Sequence, residues 1–350
     1  VPEVREAFIE LLHDCGLRLT SLNGFPYGQF HEGAVKAEVY RPTWAEPQRL
    51  EYSLQLAHLL AAALPLDCQQ GVISSVPFGY ATTWDEAQQQ QAETHLRQLT
   101  AELASLHRSS GRKILVCLEM EADCVLENTD QALAFFKHWQ ATDPHHGYLA
   151  LCFDVCHQAV VFEDCYQSLQ RLLDARVPVG KIQLSNALIC QLPFADRPRR
   201  QQVLQALGNF AEATYLHQVK ARDMAGQLLA WADLPGALDA AEPAQGQCPE
   251  LRIHFHVPLF SEQFLLAELS GSQQALLRTF DFLAAHPNFQ PVLEVETYSW
   301  NVLPGALRPD SEQALLQGIA AELQWVEGQL RQRHLLRTHS SALEAPAHAF

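Results

Sequence analysis

Acidic and imidazole side chains stand where several apolar runs of the sequence end. Glu119 closes one run, and Asp154 closes the next and is followed by His157 in an Asp-x-x-His motif. Two pairs have the i, i+2 spacing that puts both side chains on one face of an extended segment. These are His254-x-His256 and Glu294-x-Glu296. Converging carboxylates repel one another unless a cation or shared protons neutralise them. Mixed oxygen and imidazole donors of this kind favour a divalent metal ion.

Each of these residues also has a purely structural interpretation when it is considered alone. A single Asp or Glu at a strand end commonly caps a helix or accepts hydrogen bonds from a loop. His217 and His254 could equally be hydrogen-bonded residues of a sheet, and the sequence leaves this alternative open. The joint pattern across four strand ends, with Gln183 in the run after Asp154, favours the metal site.

Six short apolar runs would position these groups. They alternate with longer segments in which apolar residues recur every three or four positions, as in amphipathic helices. The runs are Leu17–Asn23, Val72–Pro77, Ile114–Glu119, Leu149–Asp154, Lys181–Ser185 and Pro291–Glu296. The helical segments include Gln48–Leu64, Asp85–Ser110, Thr129–Thr142 and Cys165–Ala175. This alternation predicts βα units around a parallel sheet.

Side-chain parity within the runs favours a barrel over an open sheet. In Ile114–Glu119 the bulky residues share one parity, and the other parity ends in the carboxylate of Glu119. Acidic groups at successive strand ends are typical of the carboxyl-terminal face of a (β/α)8 barrel. A doubly wound sheet is the alternative, but no glycine-rich phosphate loop follows any run. We therefore predict an α/β fold, a (β/α)8 TIM barrel.

The runs predict one TIM-barrel-like domain over residues 1–333 and a weakly structured tail over residues 334–350. Six runs are two short of a closed barrel, and the sequence begins without methionine in the helical segment Glu3–Cys15. We therefore expect one or two βα units to precede residue 1 in the natural protein.

An insertion at the active-site end of the barrel is predicted at about residues 213–257. Tyr215–Arg222 and Gln227–Ala232 have the pattern of a β-hairpin around the turn Asp223–Gly226. Leu251–Val257 alternates with period two and could add a third strand.

The composition limits the classes of partner. Twenty-four basic and forty acidic residues give a formal charge of −16 over 350 residues, which opposes nucleic-acid binding. No apolar run approaches the ~18 residues of a transmembrane helix, so no membrane insertion is expected. Nine scattered cysteines show no framework spacing and predict reduced thiols in a cytoplasmic protein. The expected partner is a small-molecule metabolite, and a homo-oligomer is left open.

Several motifs resemble a known family. Glu119, the Asp154-x-x-His157 motif and an acidic residue in the final run are similar to the xylose-isomerase-like TIM-barrel superfamily, which includes sugar epimerases and endonuclease IV. The chain most resembles EboE-type metabolite traffic proteins, over roughly residues 5 to 325. The motifs that carry this resemblance are Leu22-Asn23-Gly24-Phe25-Pro26-Tyr27-Gly28, Tyr40-Arg41-Pro42, Gly180-Lys181-Ile182-Gln183-Leu184-Ser185, His254-Phe255-His256-Val257-Pro258-Leu259 and Leu293-Glu294-Val295-Glu296-Thr297-Tyr298.

The resemblance implies a divalent ion (Mn²⁺, Zn²⁺, Mg²⁺ or Co²⁺). Its ligands would be Glu119, Asp154, Gln183 and Glu294. Gln183 is a neutral, weaker ligand than the superfamily's usual histidine, so His254 or His256 would supply the imidazole. The implied reaction is isomerisation or epimerisation of a sugar or cyclitol in secondary-metabolite biosynthesis or traffic.

The residues around such an ion would take separate roles. Glu119 and Glu294 would be the acid and base pair, and His157 would orient a ligand or substrate oxygen. The remaining substrate-binding candidates are Asn23, Tyr27, His217 and Glu296. Glu294 and Glu296 lie about 6.5–7 Å apart along one strand face, so they are not equivalent ligands of one ion. The superfamily pattern favours Glu294 for the ion.

Two alternative functions share most of these residues. A carrier that binds the metabolite with the help of a metal, without turnover, fits the same pattern. Phosphodiester cleavage, by analogy with endonuclease IV, is opposed by the net charge of −16.

Overall fold

The computed structural model describes residues 2–28, 36–193, 196–223, 225–241 and 249–336. The strands are β1 (Ser21–Asn23), β2 (Gln70–Ser75), β3 (Lys113–Glu119), β4 (Leu149–Asp154), β5 (Val179–Leu184), β6 (Ala187–Gln191), β7 (Val219–Arg222), β8 (Leu228–Trp231), β9 (Glu250–His256), β10 (Gln263–Phe264), β11 (Leu266–Gly271) and β12 (Val292–Val295). The α-helices are α1 (Pro2–Asp14), α2 (Pro47–Ala63), α3 (Glu86–Ser110), α4 (Thr129–Thr142), α5 (Val155–Val160), α6 (Cys165–Asp174), α7 (Arg197–Gly208), α8 (Leu234–Ala241), α9 (Gln273–Ala285) and α10 (Glu312–Gln332). Short 3-10 helices cover Lys36–Tyr40, Ala81–Thr83, His146–Tyr148 and Tyr298–Val302.

A parallel sheet of six strands forms the main layer, in the order β1-β2-β3-β4-β5-β12. Each of the six predicted apolar runs contributes one of these strands, so the prediction of βα units is confirmed. Residues of β3 and β4 are buried on both parities, because helices cover one face and the sheet encloses the other.

The sheet curls into a barrel. If it were flat, its two outer strands would lie about 24 Å apart, five strand spacings away from each other. Instead Ser21 of β1 donates a hydrogen bond to Glu294 of β12 over 3.2 Å. Lys181 of β5 also contacts both strands, through the Leu22 carbonyl and Glu294. The fold is therefore an α/β TIM-barrel fold, with a seam between β1 and β12, which do not pair within the described residues.

The helices begin where the sequence supplies caps. Asp85 and Asn128 each form a capping box with a glutamine three residues later, which starts α3 and α4. Asp154 caps α5 by accepting a hydrogen bond from the His157 backbone N–H over 2.8 Å. None of the helices in the described ranges combines the length and apolar character that a membrane-spanning helix needs.

A second, antiparallel sheet follows the order β10-β11-β6-β9-β7-β8. The predicted hairpin is confirmed as β7 paired with β8, and the third strand as β9; Met224, in the predicted turn, lies outside the described residues. The sheet is larger than predicted, because only two residues separate β5 from β6, which turns away without a helix. It packs its own core, which includes Leu188, Phe210 and Phe255.

This second sheet brings its two histidines to the barrel. Strand β9 ends at His256, so His254 and His256 both reach the cavity at the carboxyl-terminal ends of the barrel strands. Most of the predicted tail, residues 337–350, lies outside the described residues.

Gly180 lets β5 pack closely inside the barrel, and Gly180→Ala should destabilise the fold. A Cβ at this position would lie 2.5 Å from the Cys117 sulfur, whereas its other neighbours are at 3.5 Å. We expect a loss of about 1–3 kcal/mol in the free energy of unfolding, as for other overpacked cores. Urea denaturation would measure it. The same change made in a Cys117→Ala background should cost far less, and an equal cost in both backgrounds would contradict the steric explanation.

Candidate functional site

A cavity of about 440 Å³ opens at the carboxyl-terminal ends of the barrel strands. Acidic groups, imidazoles and aromatic rings line it together. The acidic and imidazole residues are Glu119, Glu121, His157, His254, His256, Glu294 and Glu296. The aromatic residues are Phe25, Tyr40, Tyr215 and Tyr298. Such a cavity suits a small polar molecule that also has an apolar face.

Asp154 lies fully buried behind this lining, at the end of β4. Its Oδ1 atom accepts hydrogen bonds from the Ser185 hydroxyl at 2.7 Å and from the His157 backbone N–H at 2.8 Å. Its Oδ2 atom is buried and has no hydrogen-bond partner among the described residues. The helix cap therefore uses one carboxylate oxygen and leaves the other available to a ligand.

The hydrogen bonds of three histidines fix which ring nitrogen carries the proton. His157 Nδ1–H donates to the Met120 carbonyl at 2.8 Å, and His256 Nδ1–H donates to the Glu296 carbonyl at 2.9 Å. His254 Nδ1 lies 2.6 Å from the Gln218 side-chain oxygen. Since each Nδ1 faces an acceptor oxygen, each Nε2 keeps its lone pair when the ring is neutral.

Burial keeps these rings neutral. It lowers the pKa of His256 to about 4 and lowers the pKa of His157 as well. Burial, together with the neighbouring His157 and His256, lowers the pKa of His254 well below its usual value. Neutral imidazoles with a fixed Nδ1–H are the form in which histidine binds a metal through Nε2.

Burial raises the pKa values of the carboxylates, whereas it lowers those of the imidazoles. Burial and the charges of Glu296 and Asp154 raise the pKa of Glu119 well above its usual range. Burial and the charges of Asp154 and Glu294 do the same to the pKa of Glu296. The pKa of Asp154 is also raised by burial. These groups therefore either share protons or need a cation.

Glu294 and Glu296 lie in different surroundings, although they share a strand face. Lys181 Nζ donates to Glu294 Oε2 over 2.9 Å, and Ser21 donates to the same oxygen. Glu296 Oε2, by contrast, is buried without a hydrogen-bond partner in the described part of the chain. The contacts thus neutralise Glu294 and leave Glu296 in need of a partner.

Of three other predicted site residues, one lines the cavity and two do not. Asn23 lines the cavity and contacts Ser74. Gln183 is fully buried, accepts from the Cys152 thiol at 2.9 Å and does not line the cavity. Tyr27 is 46% exposed and packs its ring edge against Tyr52, also away from the cavity lining.

The ring of His217 forms its hydrogen bonds beside the second sheet. Its Nε2 lies 3.0 Å from Glu212, and its Nδ1 lies 3.1 Å from the His254 carbonyl. This arrangement matches the alternative in which His217 is a hydrogen-bonded sheet residue.

Two important residues of the site were not singled out from the sequence. Glu121 follows Glu119 at i+2 and accepts a hydrogen bond from the Tyr40 hydroxyl at 2.6 Å. Lys181 is fully buried, and the Glu294 charge raises its pKa although burial alone would lower it. The i, i+2 repeat after β3 was a usable signal for Glu121, whereas nothing local marked Lys181.

The arrangement fits a divalent cation. Three potential ligand atoms are buried and without a hydrogen-bond partner among the described residues, namely Asp154 Oδ2, His256 Nε2 and Glu296 Oε2. One ligand atom each from Asp154, His157 and His256 also lies within 4.8 Å of the others. Unpaired buried polar atoms are costly, so a metal ion bound by Asp154 and His256 would stabilise both of their free atoms. Glu296 lies near enough for the charge of Asp154 to raise its pKa, which makes it the candidate for a further ligand.

Glu119→Gln should stabilise the protein in the absence of metal. Because the pKa of folded Glu119 is raised, its contribution to stability is full below the unfolded pKa of about 4.3 and is lost as pH rises through the folded value. Glutamine removes this loss, so the variant's unfolding midpoint in EDTA should exceed the wild-type value at pH 8. The difference should shrink as pH falls toward 4.5. The exposed change Glu102→Gln serves as the control, and equal midpoints at pH 8 would contradict the prediction.

Comparison with known proteins gives no family assignment from sequence. No protein-family model matches the chain, and a search of curated proteins finds no match. A D-tagatose 3-epimerase-like protein matches in structure with 9% identity and a TM-score of 0.47, over 95% of this chain and 85% of the other. A xylose isomerase-like TIM barrel protein from Mycobacterium smegmatis, in complex with magnesium, matches with 14% identity and a TM-score of 0.48, over 94% and 80%.

The 3-keto-D-glucoside 4-epimerase of E. coli, in its apo form, matches with 12% identity and a TM-score of 0.42, over 93% of this chain and 84% of the other. Because these TM-scores lie below 0.5, the fold assignment rests on the strand order and curvature described above. The chain is an α/β protein of the TIM-barrel type whose cavity holds a buried cluster of carboxylates and imidazoles.

Proposed function

We propose that this protein is a metal-dependent isomerase or epimerase of a small polyol-type metabolite, a sugar or a cyclitol, in secondary-metabolite biosynthesis or traffic. The observation that carries the proposal is the set of unpartnered ligand atoms on Asp154, His256 and Glu296 beside a cavity of about 440 Å³. The cavity is large enough for a monosaccharide-sized molecule.

Asp154, His256 and Glu296 would hold the ion, and Glu119, whose pKa is raised by burial and by the charges of Glu296 and Asp154, would lie beside them. Mn²⁺, Zn²⁺, Mg²⁺ and Co²⁺ are all compatible with two carboxylates and one imidazole. When bound, the ion supplies positive charge next to a substrate carbonyl and so lowers the pKa of the neighbouring carbon-bound proton. The Glu296 carbonyl fixes the ring of His256 from behind, which is the usual second contact of a metal-binding histidine.

Glu294 and Glu119 would move the proton. Glu294 lines the cavity, and Lys181 Nζ donates a hydrogen bond to it over 2.9 Å, which orients the carboxylate that would act as general base. Glu119 also lines the cavity, three strands away around the barrel, and its raised pKa favours the protonated form of a general acid. Two carboxyl groups with such different surroundings suit opposite roles in one reaction.

The rest of the lining would orient the substrate. Asn23 offers an amide for hydroxyl groups, and Tyr298 presents an aromatic ring to an apolar sugar face. His157 lies between the acidic cluster and the second sheet, where its Nε2 faces His254.

Metal analysis and solvent exchange test the proposal. Protein purified without chelator is assayed for bound metal, and then ketoses and cyclitols are incubated with it in D₂O and followed by NMR. We expect deuterium to enter at one carbon of a bound polyol, with wild-type protein and not with Glu294→Gln. Binding without deuterium incorporation would instead support the carrier alternative, and the absence of bound metal would contradict both.

A further inference from the structure

Two imidazoles of the cavity face each other nitrogen to nitrogen. His157 Nε2 and His254 Nε2 are 3.0 Å apart, and both side chains are buried. At this distance one nitrogen has to donate to the other, or a third group has to lie beside both of them. The protonation of the two rings decides which of these applies.

The His157 ring has its proton on the far nitrogen. Its Nδ1 lies 2.8 Å from the Met120 carbonyl, which can only accept a hydrogen bond. The proton of the neutral ring is therefore on Nδ1, and His157 Nε2 presents a lone pair to His254.

The orientation of Gln218 fixes the proton of His254 in the same way. The Gln218 amide nitrogen lies 3.1 Å from the Ala122 carbonyl and 2.6 Å from the Tyr40 hydroxyl, so it is the donor end of the side chain. The amide oxygen then faces His254 Nδ1 at 2.6 Å and accepts its proton. His254 Nε2 consequently presents a second lone pair, directed at the first.

Two facing lone pairs repel each other, and a cation that lies to one side and binds both nitrogen atoms removes the repulsion. A carboxylate is also close, since one ligand atom each of Glu121, His157 and His254 lies within 4.8 Å of the others. Glu121 Oε2 is buried and unpartnered within the described ranges, so it can turn to a cation while Oε1 stays bonded to Tyr40.

We propose that Glu121, His157 and His254 form a second cation site, distinct from the one that Asp154, His256 and Glu296 would form. The ligand atom of His157 lies within 4.8 Å of both groups, and we assign it to the second site, where it faces His254. Two imidazoles and one carboxylate favour Zn²⁺ or a related transition metal over Mg²⁺. The three side chains line the cavity, so the ion is accessible to a ligand. The site goes beyond the proposed function, which needs only the first ion.

Counting bound ions in matched variants tests this site. Each protein is equilibrated with Zn²⁺, passed through a desalting column and analysed for zinc per chain by mass spectrometry. Wild type should retain two ions. His254→Gln should retain one, and so should Asp154→Asn, which removes a ligand of the other ion only. His217→Gln replaces a buried histidine outside the cluster and should retain two.

Titration with Co²⁺ gives a second readout on a milder variant. Glu121→Gln keeps an oxygen that accepts the hydrogen bond from Tyr40. Because the loss of an outer contact already lowers metal affinity by about 10–100-fold, the affinity of this variant for the second ion should fall by more than about tenfold. Circular dichroism confirms that each variant is folded. The inference is overturned if His254→Gln retains as much zinc as wild type, whether or not Asp154→Asn loses an ion. Loss of zinc only in Asp154→Asn would leave the proposed function intact and place a shared proton between the two imidazoles.

Discussion

Glu296→Gln is expected to reduce the affinity for the proposed divalent ion by at least about a hundredfold. The substitution keeps the size of the side chain but removes the charge of the only one of the two neighbouring glutamates that has an unpartnered buried oxygen. The loss of an outer contact to a metal ligand already lowers metal affinity by about 10–100-fold. Replacing a carboxylate ligand by a neutral amide should lower the affinity by more than that. Calorimetric titration of the metal-free protein with Mn²⁺ would measure the change, because Mn²⁺ favours oxygen ligands.

Glu294→Gln is the matched control on the same strand face. Its carboxylate is already neutralised by Lys181 at 2.9 Å, and glutamine still offers an oxygen to that ammonium group. We therefore expect Glu294→Gln to bind Mn²⁺ almost as well as wild type while losing solvent exchange. Loss of metal only in Glu294→Gln would restore the assignment that the sequence favoured, and equal retention in both variants would place the ion elsewhere.

The choice between these glutamates shows why the sequence could not complete the site. Parity in the apolar runs predicted that Glu119 and Asp154 stand at adjacent strand ends, and β3 and β4 place them there. Strand periodicity is a local property, so it can be recognised in the sequence alone. The surroundings of Glu294 depend on Lys181, which is more than a hundred residues away and reaches it only because β5 and β12 are paired.

The second sheet shows the same limit on a larger scale. The hairpin β7–β8 has local turn and strand signals and was predicted, but β6 and β11 pair across a long stretch of chain. His254 and His256 come to the barrel from this sheet, so their convergence with His157 depends on pairing between β6 and β9. The position of the Glu121 side chain also depends on a distant contact, because the hydrogen bond that orients it comes from Tyr40, 81 residues earlier.

Lys181→Met is expected to lower the free energy of unfolding by about 3 kcal/mol. Lys181 is fully buried in the barrel interior, and its ammonium group donates to Glu294, to the Ser74 hydroxyl and to the Leu22 carbonyl. Removing one partner of a buried ion pair typically costs about 3–5 kcal/mol, because the other charge is left uncompensated. We expect the lower end, since the Glu294 side chain is 28% exposed and water can partly replace the lost partner. Urea denaturation at pH 7 would measure the loss.

A double-mutant cycle separates this charge effect from the packing of the lysine stem. Met fills a similar volume, so Lys181→Met removes the charge and leaves most of the apolar contacts in place. Adding Glu294→Gln removes the stranded carboxylate, and the double variant should be more stable than Lys181→Met alone. Coupling of this kind is measurable because residues in one ion pair deviate from additivity by about 0.5–3 kcal/mol. If the two losses simply add, the ion pair does not connect β5 to β12, and the closure of the barrel at its seam depends on other contacts.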